Sequence, residues 1–292
     1  MSQTIYNYIE MIKPRITLLV LLTGYLGYYL GLRWDPNPDN YEKLLFLLIG
    51  MFFSSSGCAV LNQYLEKDFD AKMKRTMNRP IPSGRVRPIN ALLFGSILCV
   101  FSVFFIYQTI NDKTAFICFL TVFLYLFVYT PSKQFSTLNT LIGSIPGALP
   151  VLGGWTAATN NLNSTSWILF AILFCWQIPH FLAIAIIYAK DYKEGGFKML
   201  PSEYPNSKHT QYHVLFFSIA MIGTSLGLVL VNDILDIGYL FGISVIGILF
   251  FIVVIQFLIN SSHKNAKKLM IATLFYFPLM FILIILDALD YI

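Results

Sequence analysis

The chain has 292 residues, of which 57% are hydrophobic and only 12% are charged. Soluble domains carry about twice that charged fraction, and the apolar residues here form long runs, so a soluble globular protein is excluded. The net charge of +5 at pH 7 is informative only through its distribution along the chain.

The long apolar runs predict nine transmembrane helices. A run of about 18 or more apolar residues can cross the hydrocarbon core as a helix, whereas the strands of a membrane barrel are only about 10 residues long. The fourth predicted span is short. The predicted spans are residues 16–32, 44–64, 89–108, 115–129, 138–157, 167–189, 212–231, 239–259 and 269–286. We therefore predict an all-α polytopic membrane protein, a bundle of nine transmembrane helices in one domain over residues 1–292.

Basic residues predict the orientation of this bundle. With a cytoplasmic N-terminus, 17 of the 20 Lys and Arg residues lie in cytoplasmic segments, and the other three are Arg33, Lys43 and Lys113. Such an excess of basic residues marks the cytoplasmic side. Residues 1–15 resemble neither a secretory signal nor a transit peptide. We therefore expect a multi-pass protein of the bacterial inner (plasma) membrane, with cytoplasmic active-site loops.

An acidic cluster follows the second predicted span. Asn62, Glu66 and Asp70 are spaced four residues apart, so they share one face if the helix continues. No buried basic partner is predicted for these carboxylates, and a divalent cation would remove their mutual repulsion. Oxygen ligands suit Mg²⁺, which takes its remaining ligands from water and phosphate.

Basic residues follow this acidic cluster directly, at Lys72, Lys74, Arg75 and Arg79. Their side chains suit phosphate oxygens, above all the planar fork of arginine. Carboxylates for a metal beside cations for an anion predict a metal–diphosphate site. The alternative is a solvated helix at the membrane surface with ion pairs along it.

The fifth predicted span contains Gly143 and Gly147. Small residues four apart let two membrane helices approach closely. We therefore expect a close helix contact at this pair.

A second polar cluster surrounds the end of the sixth predicted span. Lys190 and Asp191 follow the span, while Gln177 and His180 lie inside it. Polar residues within a span usually face a cavity or the bundle interior. One continuous helix would place His180 about 16 Å from Asp191. The alternatives are a hydrogen-bonded packing histidine and lysines that only set the orientation.

These residues resemble the UbiA-type intramembrane prenyltransferases, and within them the protoheme IX farnesyltransferase (heme O synthase) branch. The first motif of that branch is matched at Asn62, Tyr64, Asp68, Asp70, Met73, Arg75 and Thr76. Further matches are Lys13-Pro14-Arg15, Tyr129-Thr130, Trp176-Gln177, Pro179-His180-Phe181 and Lys190-Asp191-Tyr192.

Three positions depart from the pattern. Glu66 stands for the first aspartate of the motif, which keeps the carboxylate but lengthens its reach. Gly195 stands four residues after Asp191, where the family at large has a second acid that the heme branch also tends to lack. Gln134 follows Lys133, where the branch usually has an arginine.

The resemblance implies Mg²⁺-dependent transfer of a farnesyl group from farnesyl diphosphate to a vinyl group of protoheme IX (heme B), giving heme O, in heme A/O biosynthesis. The implied catalytic residues are Asn62, Glu66, Asp70 and Asp191. The implied Mg²⁺ ligands are Asn62, Glu66, Asp68, Asp70 and Asp191. The implied diphosphate-binding residues are Arg75, Arg79, Lys133 and Lys190. The implied contacts to protoheme are Gln177 and His180, the latter as an axial ligand of the iron.

The expected partners are farnesyl diphosphate, protoheme IX, the lipid bilayer, and a downstream heme A synthase or oxidase assembly proteins, whereas nucleic acid is not expected. Two alternatives stay open. One is the same type of enzyme acting on an aromatic quinone precursor, and the other is a transporter or assembly factor without catalysis.

Overall fold

The computed structural model describes residues 3–32, 38–205, 207–232 and 235–289. In this part of the chain, nine helices are long and apolar enough to cross a membrane. The predicted all-α bundle and its number of spans are therefore confirmed. Arg33, one of the three basic residues predicted on the outer side, lies outside the described residues.

The described residues form fourteen α-helices. In chain order they are α1 (Gln3–Met11), α2 (Pro14–Leu32), α3 (Pro38–Leu65), α4 (Lys67–Asp70), α5 (Pro88–Thr109), α6 (Asp112–Phe123), α7 (Thr130–Phe135), α8 (Asn139–Thr159), α9 (Ser164–Ile187), α10 (Ala189–Gly195), α11 (Leu200–Glu203), α12 (His209–Gly227), α13 (Ile237–Ile259) and α14 (His263–Leu289). A π-helical segment, Leu124–Tyr129, joins α6 to α7, and a 3₁₀ turn, Leu228–Leu230, follows α12.

The fourth span is longer than predicted. It runs over the 24 residues Asp112–Phe135 because the π-helical segment leads straight into α7. The expectation of a short span ending at residue 129 is therefore wrong. Pro131 did not end the helix, and it lies just after the π-helical segment, at the first positions of α7. This extension places Lys133 on a helix rather than in a loop.

The helices group into two compact units. Unit 1 comprises Met1–Leu162 and Lys190–Lys198, and it contains the first five spans and most of α10. Unit 2 comprises Asn163–Ala189 and Met199–Ile292, and it contains the other four spans. Within unit 2, α9 packs against α12 and α14. A single domain over residues 1–292 stays a prediction.

Within unit 1, α2 and α8 cross with their backbones in contact. A Cβ atom at Gly154 would overlap the carbonyl of Gly24, and one at Gly27 would overlap the carbonyl of Val151. Gly143 faces the ring of Tyr129 instead. A close helix approach does occur on the fifth span, but its glycine lies more than two turns beyond Gly143.

Candidate active site

The face that carries Asn62, Glu66 and Asp70 lies in unit 1, where α3 passes into α4. The helix is interrupted at Glu66, whose φ and ψ are −97° and 6°, so the predicted uninterrupted helix is corrected. Two backbone hydrogen bonds nevertheless bridge the interruption, from Glu66 N–H to the Asn62 carbonyl (2.9 Å) and from Asp70 N–H to the Glu66 carbonyl (2.8 Å). The three residues are therefore spaced one turn apart, and they are only 2%, 4% and 0% exposed.

Each buried carboxylate of this face has a basic partner. Lys133 Nζ lies 2.7 Å from Glu66 Oε1, and Arg79 Nη1 lies 2.6 Å from Asp70 Oδ2. The expectation that these carboxylates lack buried basic partners is therefore wrong. Sequence patterns could not reveal the Lys133 pair, because its two residues are 67 positions apart. The two pairs bring cations that can bind an anion directly beside carboxylates that can bind a metal.

One carboxylate oxygen at this face has no partner. Asp70 Oδ2 accepts a hydrogen bond from Arg79, whereas Asp70 Oδ1 is buried and has no hydrogen bond with any described residue. A buried polar atom without a partner is costly. An anionic oxygen in that position, beside Glu66 and the amide oxygen of Asn62, suits Mg²⁺. The residues present therefore fit a divalent cation.

The protein alone does not complete a metal cage. In the described ranges, no three His, Cys, Asp or Glu side chains are placed to hold a metal ion together. Mg²⁺ usually keeps several waters and binds through one or two carboxylates together with substrate phosphates. Two carboxylates and an amide oxygen agree with that mode of binding.

The segment after α4 folds back as a compact loop that returns Arg79 to Asp70. Thr76 Oγ1 donates a hydrogen bond to the Asp70 carbonyl (2.9 Å), and Ile81 and Val86 pack against Met11 of α1. The loop therefore shares an apolar cluster with α1, α3 and α5. Its position is set by buried side chains as well as by charge.

An ion pair fixes the same loop to α1. Arg85 donates two hydrogen bonds to Glu10, at 2.8 Å and 3.1 Å, and a third to Asn7 (2.8 Å). The hydrogen bonds that Arg85 donates to Glu10 raise the pKa of Arg85. The N-terminal helix is therefore part of the support of the acidic face.

Aromatic and backbone contacts orient Lys133. Its Nζ lies 4.5 Å from the centre of the Tyr129 ring, a distance typical of a cation–π contact. The Lys133 carbonyl accepts a hydrogen bond from Lys198 N–H (2.8 Å), and Asn139 Nδ2 donates to the Lys198 carbonyl (2.7 Å). Segment Lys190–Lys198 is thereby attached to the helix that carries Lys133.

Lys13 also reaches the site, a placement that the sequence analysis missed. Its Nζ donates to Asn62 Oδ1 over 3.4 Å. Burial, followed by the nearby charge of Arg79, lowers the pKa of Lys13 to about 7, although Glu66 acts in the opposite direction. The available signals were the match of Lys13-Pro14-Arg15 to the heme branch and the position of Lys13 on the same predicted side of the membrane as the acidic cluster.

The remaining predicted residues of unit 1 are more exposed. The Asp68 side chain is 80% exposed and pairs with Lys67, and the Lys190 side chain is 82% exposed and pairs with Glu194 at 3.9 Å. Arg75 is exposed and donates to the hydroxyl of Tyr192 (3.4 Å).

Asp191 is partly buried and makes neither a hydrogen bond nor an ion pair with the described residues. Its carboxylate oxygens are therefore available to a ligand. The structure does not gather Asp191 with Glu66 and Asp70 into a three-carboxylate group among the described residues.

Gln177 and His180 lie in α9 of unit 2. Gln177 is buried and donates to the Leu173 carbonyl (3.0 Å). His180 Nδ1 lies 2.8 Å from the hydroxyl of Thr273 on α14. Because α9 ends at Ile187, before α10 begins, the predicted offset of 16 Å along a single helix does not apply.

The orientation of the His180 ring follows from its partners. Thr273 donates its hydroxyl hydrogen to the Met270 carbonyl (2.6 Å), so His180 Nδ1 is the donor to that hydroxyl. The ring also stacks on Trp176, with centres 5.4 Å apart and planes 11° apart. The lone pair therefore lies on Nε2, and the ring does not cap a carbonyl of its own helix through Nδ1.

Comparison with known proteins places the chain in a family. The model of the UbiA prenyltransferase family matches residues 20–284. A protoheme IX farnesyltransferase of Solibacter usitatus is 38% identical, over 96% of this chain and 98% of its own length. A protein of the same name from Opitutus terrae is 37% identical, over 97% of this chain and 95% of its own length.

Solved structures share the fold. A digeranylgeranylglyceryl phosphate synthase has a TM-score of 0.82 at 20% identity and covers 99% of this chain and 100% of its own. A UbiA homologue from Archaeoglobus fulgidus bound to GPP and Mg²⁺ has a TM-score of 0.65 at 15% identity, covering 95% of this chain and 99% of its own. The chain therefore belongs to the UbiA prenyltransferase family, a family of membrane enzymes, as its motifs predicted.

Proposed function

We propose that this UbiA prenyltransferase transfers a farnesyl group from farnesyl diphosphate to a vinyl group of protoheme IX, giving heme O. The observation that carries the proposal is the face of Asn62, Glu66 and Asp70, where Lys133 and Arg79 lie against buried carboxylates. Nearly full-length relatives named protoheme IX farnesyltransferase support the choice of acceptor.

The basic residues of this face act on the leaving group. The bond between the allylic carbon and the diphosphate oxygen breaks, and its electron pair stays on the diphosphate. Lys133 and Arg79 donate hydrogen bonds to oxygens where that charge develops, which lowers the barrier more than it stabilises the bound substrate. Arg75 and Lys190 add to the same attraction from the exposed side.

Asn62, Glu66 and Asp70 would hold Mg²⁺, with Asp191 and Asp68 as the further acidic residues near it. The bound ion supplies Lewis-acid stabilisation of the departing diphosphate. The UbiA homologue from Archaeoglobus fulgidus, which was solved with GPP and Mg²⁺, supports this use of the fold. The unpartnered Oδ1 of Asp70, a buried atom without a hydrogen bond among the described residues, supports the presence of such a cation.

The vinyl group of protoheme then attacks the allylic carbon. The cation that forms on the porphyrin side chain takes up water and loses a proton, which gives the hydroxyl group of heme O. The apolar interior excludes water from the allylic carbon until that attack. We assign the protoheme iron to His180 Nε2, since a histidine that binds a metal commonly donates its other ring N–H to a fixed partner, here Thr273. Gln177 is the second expected contact to protoheme.

The membrane side is part of the proposal. The distribution of Lys and Arg favours a bacterial inner membrane with the loops of the site in the cytoplasm. Association with a downstream heme A synthase or oxidase assembly proteins would then keep heme O within the membrane.

Pigments extracted from cells that express the protein test the function. We expect heme B to be converted to heme O, and purified protein with Mg²⁺, farnesyl diphosphate and protoheme to give the same product. Prenylation of 4-hydroxybenzoate without any conversion of protoheme would show that the acceptor is an aromatic quinone precursor and not protoheme. The absence of diphosphate release with either acceptor would refute a transferase.

A heme titration tests the assignment of His180. The Soret band of wild type should shift on binding, and His180→Ala should lose both that shift and most of the affinity. His213→Ala is the matched control, because His213 binds the carbonyl of His209 in an exposed position. Unchanged binding in His180→Ala would make His180 a packing residue.

A further inference from the structure

The geometry points to Lys13 as a diphosphate-binding residue, an inference that rests on the proposed function. The ammonium group of Lys13 donates a hydrogen bond to Asn62 at the acidic face. Lys13 itself lies in the short connection between α1 and α2, remote in sequence from the other basic residues of the site. Neither the motif of the acidic cluster nor the basic residues that follow that cluster include it.

The backbone of Lys13 is held in an unusual conformation. Its φ is +48°, in the left-handed region, and only one other non-glycine residue in the described part of the chain has a positive φ. Non-glycine residues in that region are strained, and they persist where the surrounding structure fixes them. Such residues cluster at functional sites.

Hydrogen bonds fix the chain on both sides of Lys13. Gln63 Nε2, one residue after Asn62, donates to the Met11 carbonyl (2.8 Å), and Thr17 Oγ1 donates to the Ile12 carbonyl (2.9 Å). The Lys13 carbonyl accepts from Ile16 N–H (3.0 Å). The left-handed turn and the helix that carries Asn62 are therefore parts of one rigid arrangement, which directs the Lys13 side chain to the acidic face.

Charge at the face favours an anion. Lys13 lies within the electrostatic reach of Arg79, Lys133, Glu66 and Asp70. When Lys13 is protonated, three basic side chains face two carboxylates, which leaves one positive charge in excess. A divalent cation on the carboxylates would raise that excess to three, which matches a diphosphate with three negative charges. Lys13 supplies the charge that the two ion pairs do not.

Binding of inorganic pyrophosphate to the full-length protein tests this assignment. We would measure it by calorimetry with Mg²⁺ present, for wild type, Lys13→Met and Arg15→Met. Arg15→Met is the matched control, because Arg15 is an exposed basic residue two positions away. We expect Lys13→Met to weaken binding by at least about tenfold, in line with the loss of a charge-assisted hydrogen bond, and Arg15→Met by less than about twofold.

Lys13→Gly separates binding from strain. Glycine accepts the left-handed backbone without a penalty, so Lys13→Gly should unfold at a higher temperature than Lys13→Met and yet lose pyrophosphate affinity to the same extent. Wild-type affinity in either Lys13 variant would overturn the assignment of Lys13 alone. Failure of wild type to bind pyrophosphate with Mg²⁺ would instead count against the proposed function.

Discussion

Asp191 was predicted to complete the metal site of Asn62, Glu66 and Asp70, and all four residues lie in unit 1, but they differ in depth. Glu66 and Asp70 are buried and paired with Lys133 and Arg79, whereas Asp191 is partly buried and has no described partner. Replacing a buried ion pair by apolar residues is often neutral or stabilising. The pairs at Glu66 and Asp70 are therefore better explained by function than by stability, and substitutions can separate the two clusters.

The largest effect is expected at Asp70. Asp70→Asn keeps an acceptor for Arg79 but removes the charge of the buried Oδ1, so heme O formation should fall at least about 1,000-fold. Asp112→Asn is the matched control, since Asp112 is exposed in the first turn of α6, and its activity should equal that of wild type. Near-normal turnover in Asp70→Asn at saturating Mg²⁺ would show that the buried carboxylate of Asp70 does not bind the metal.

Activity should depend more on the negative charge at position 66 than on the length of the side chain there. We expect Glu66→Asp to keep a measurable part of wild-type activity and Glu66→Gln to lose about 100-fold or more, because only the aspartate can bind a cation and pair with Lys133. Equal activity of wild type and Glu66→Gln would reduce Glu66 to a structural role.

A double substitution tests whether Glu66 and Lys133 act as a pair. Removing one partner of a buried ion pair costs about 3–5 kcal/mol of unfolding free energy. Lys133→Met alone should therefore destabilise the protein more than Lys133→Met together with Glu66→Gln, as measured by unfolding in detergent. Additive losses would show that the 2.7 Å contact contributes no coupling.

Asp191 sharpens the contrast between the clusters. Asp191→Asn should lower activity by about 100-fold if the residue joins the metal site, but its melting temperature should equal that of wild type, because no contact of Asp191 is lost. A lower melting temperature would mean that Asp191 has a structural partner. Unchanged activity would remove it from the site.

The smallest effect is expected at Lys190, whose side chain is 82% exposed. Lys190→Met should weaken pyrophosphate binding only a few-fold, and the difference should disappear near 1 M salt, where exposed charges are screened. Lys133→Met should weaken binding at both salt concentrations. A loss in Lys190→Met that persists at high salt would indicate a direct contact.

The sequence predicted the spans well because hydropathy reports them directly. It missed the end of the fourth span, where Thr130 and Lys133 read as a loop although the π-helical segment continues the helix into them. Hydropathy carries no signal for a π-helical turn. The close helix contact was predicted on the correct span, but at Gly143, whereas the backbones of α2 and α8 meet at Gly154. The position of the facing helix decides which glycine lies at the crossing, and the sequence does not give that position.

The site was predictable where it is local in sequence. The four-residue spacing of Asn62, Glu66 and Asp70 survived the interruption at Glu66 because backbone hydrogen bonds bridge it. Partners that come from distant segments were not predictable as partners. Lys13 and Lys133 meet this face only through tertiary packing, and the left-handed conformation of Lys13 has no signature in a residue that is not glycine.

The central claim is that the buried face of Asn62, Glu66 and Asp70 binds a divalent cation together with diphosphate. Mn²⁺ also prefers oxygen ligands and can replace Mg²⁺, so electron paramagnetic resonance of purified protein with Mn²⁺ and pyrophosphate measures that binding directly. We predict one bound Mn²⁺ per chain in wild type and in Asp112→Asn, and none in Asp70→Asn that is still folded by thermal unfolding. Equal Mn²⁺ binding in all three proteins would contradict the account.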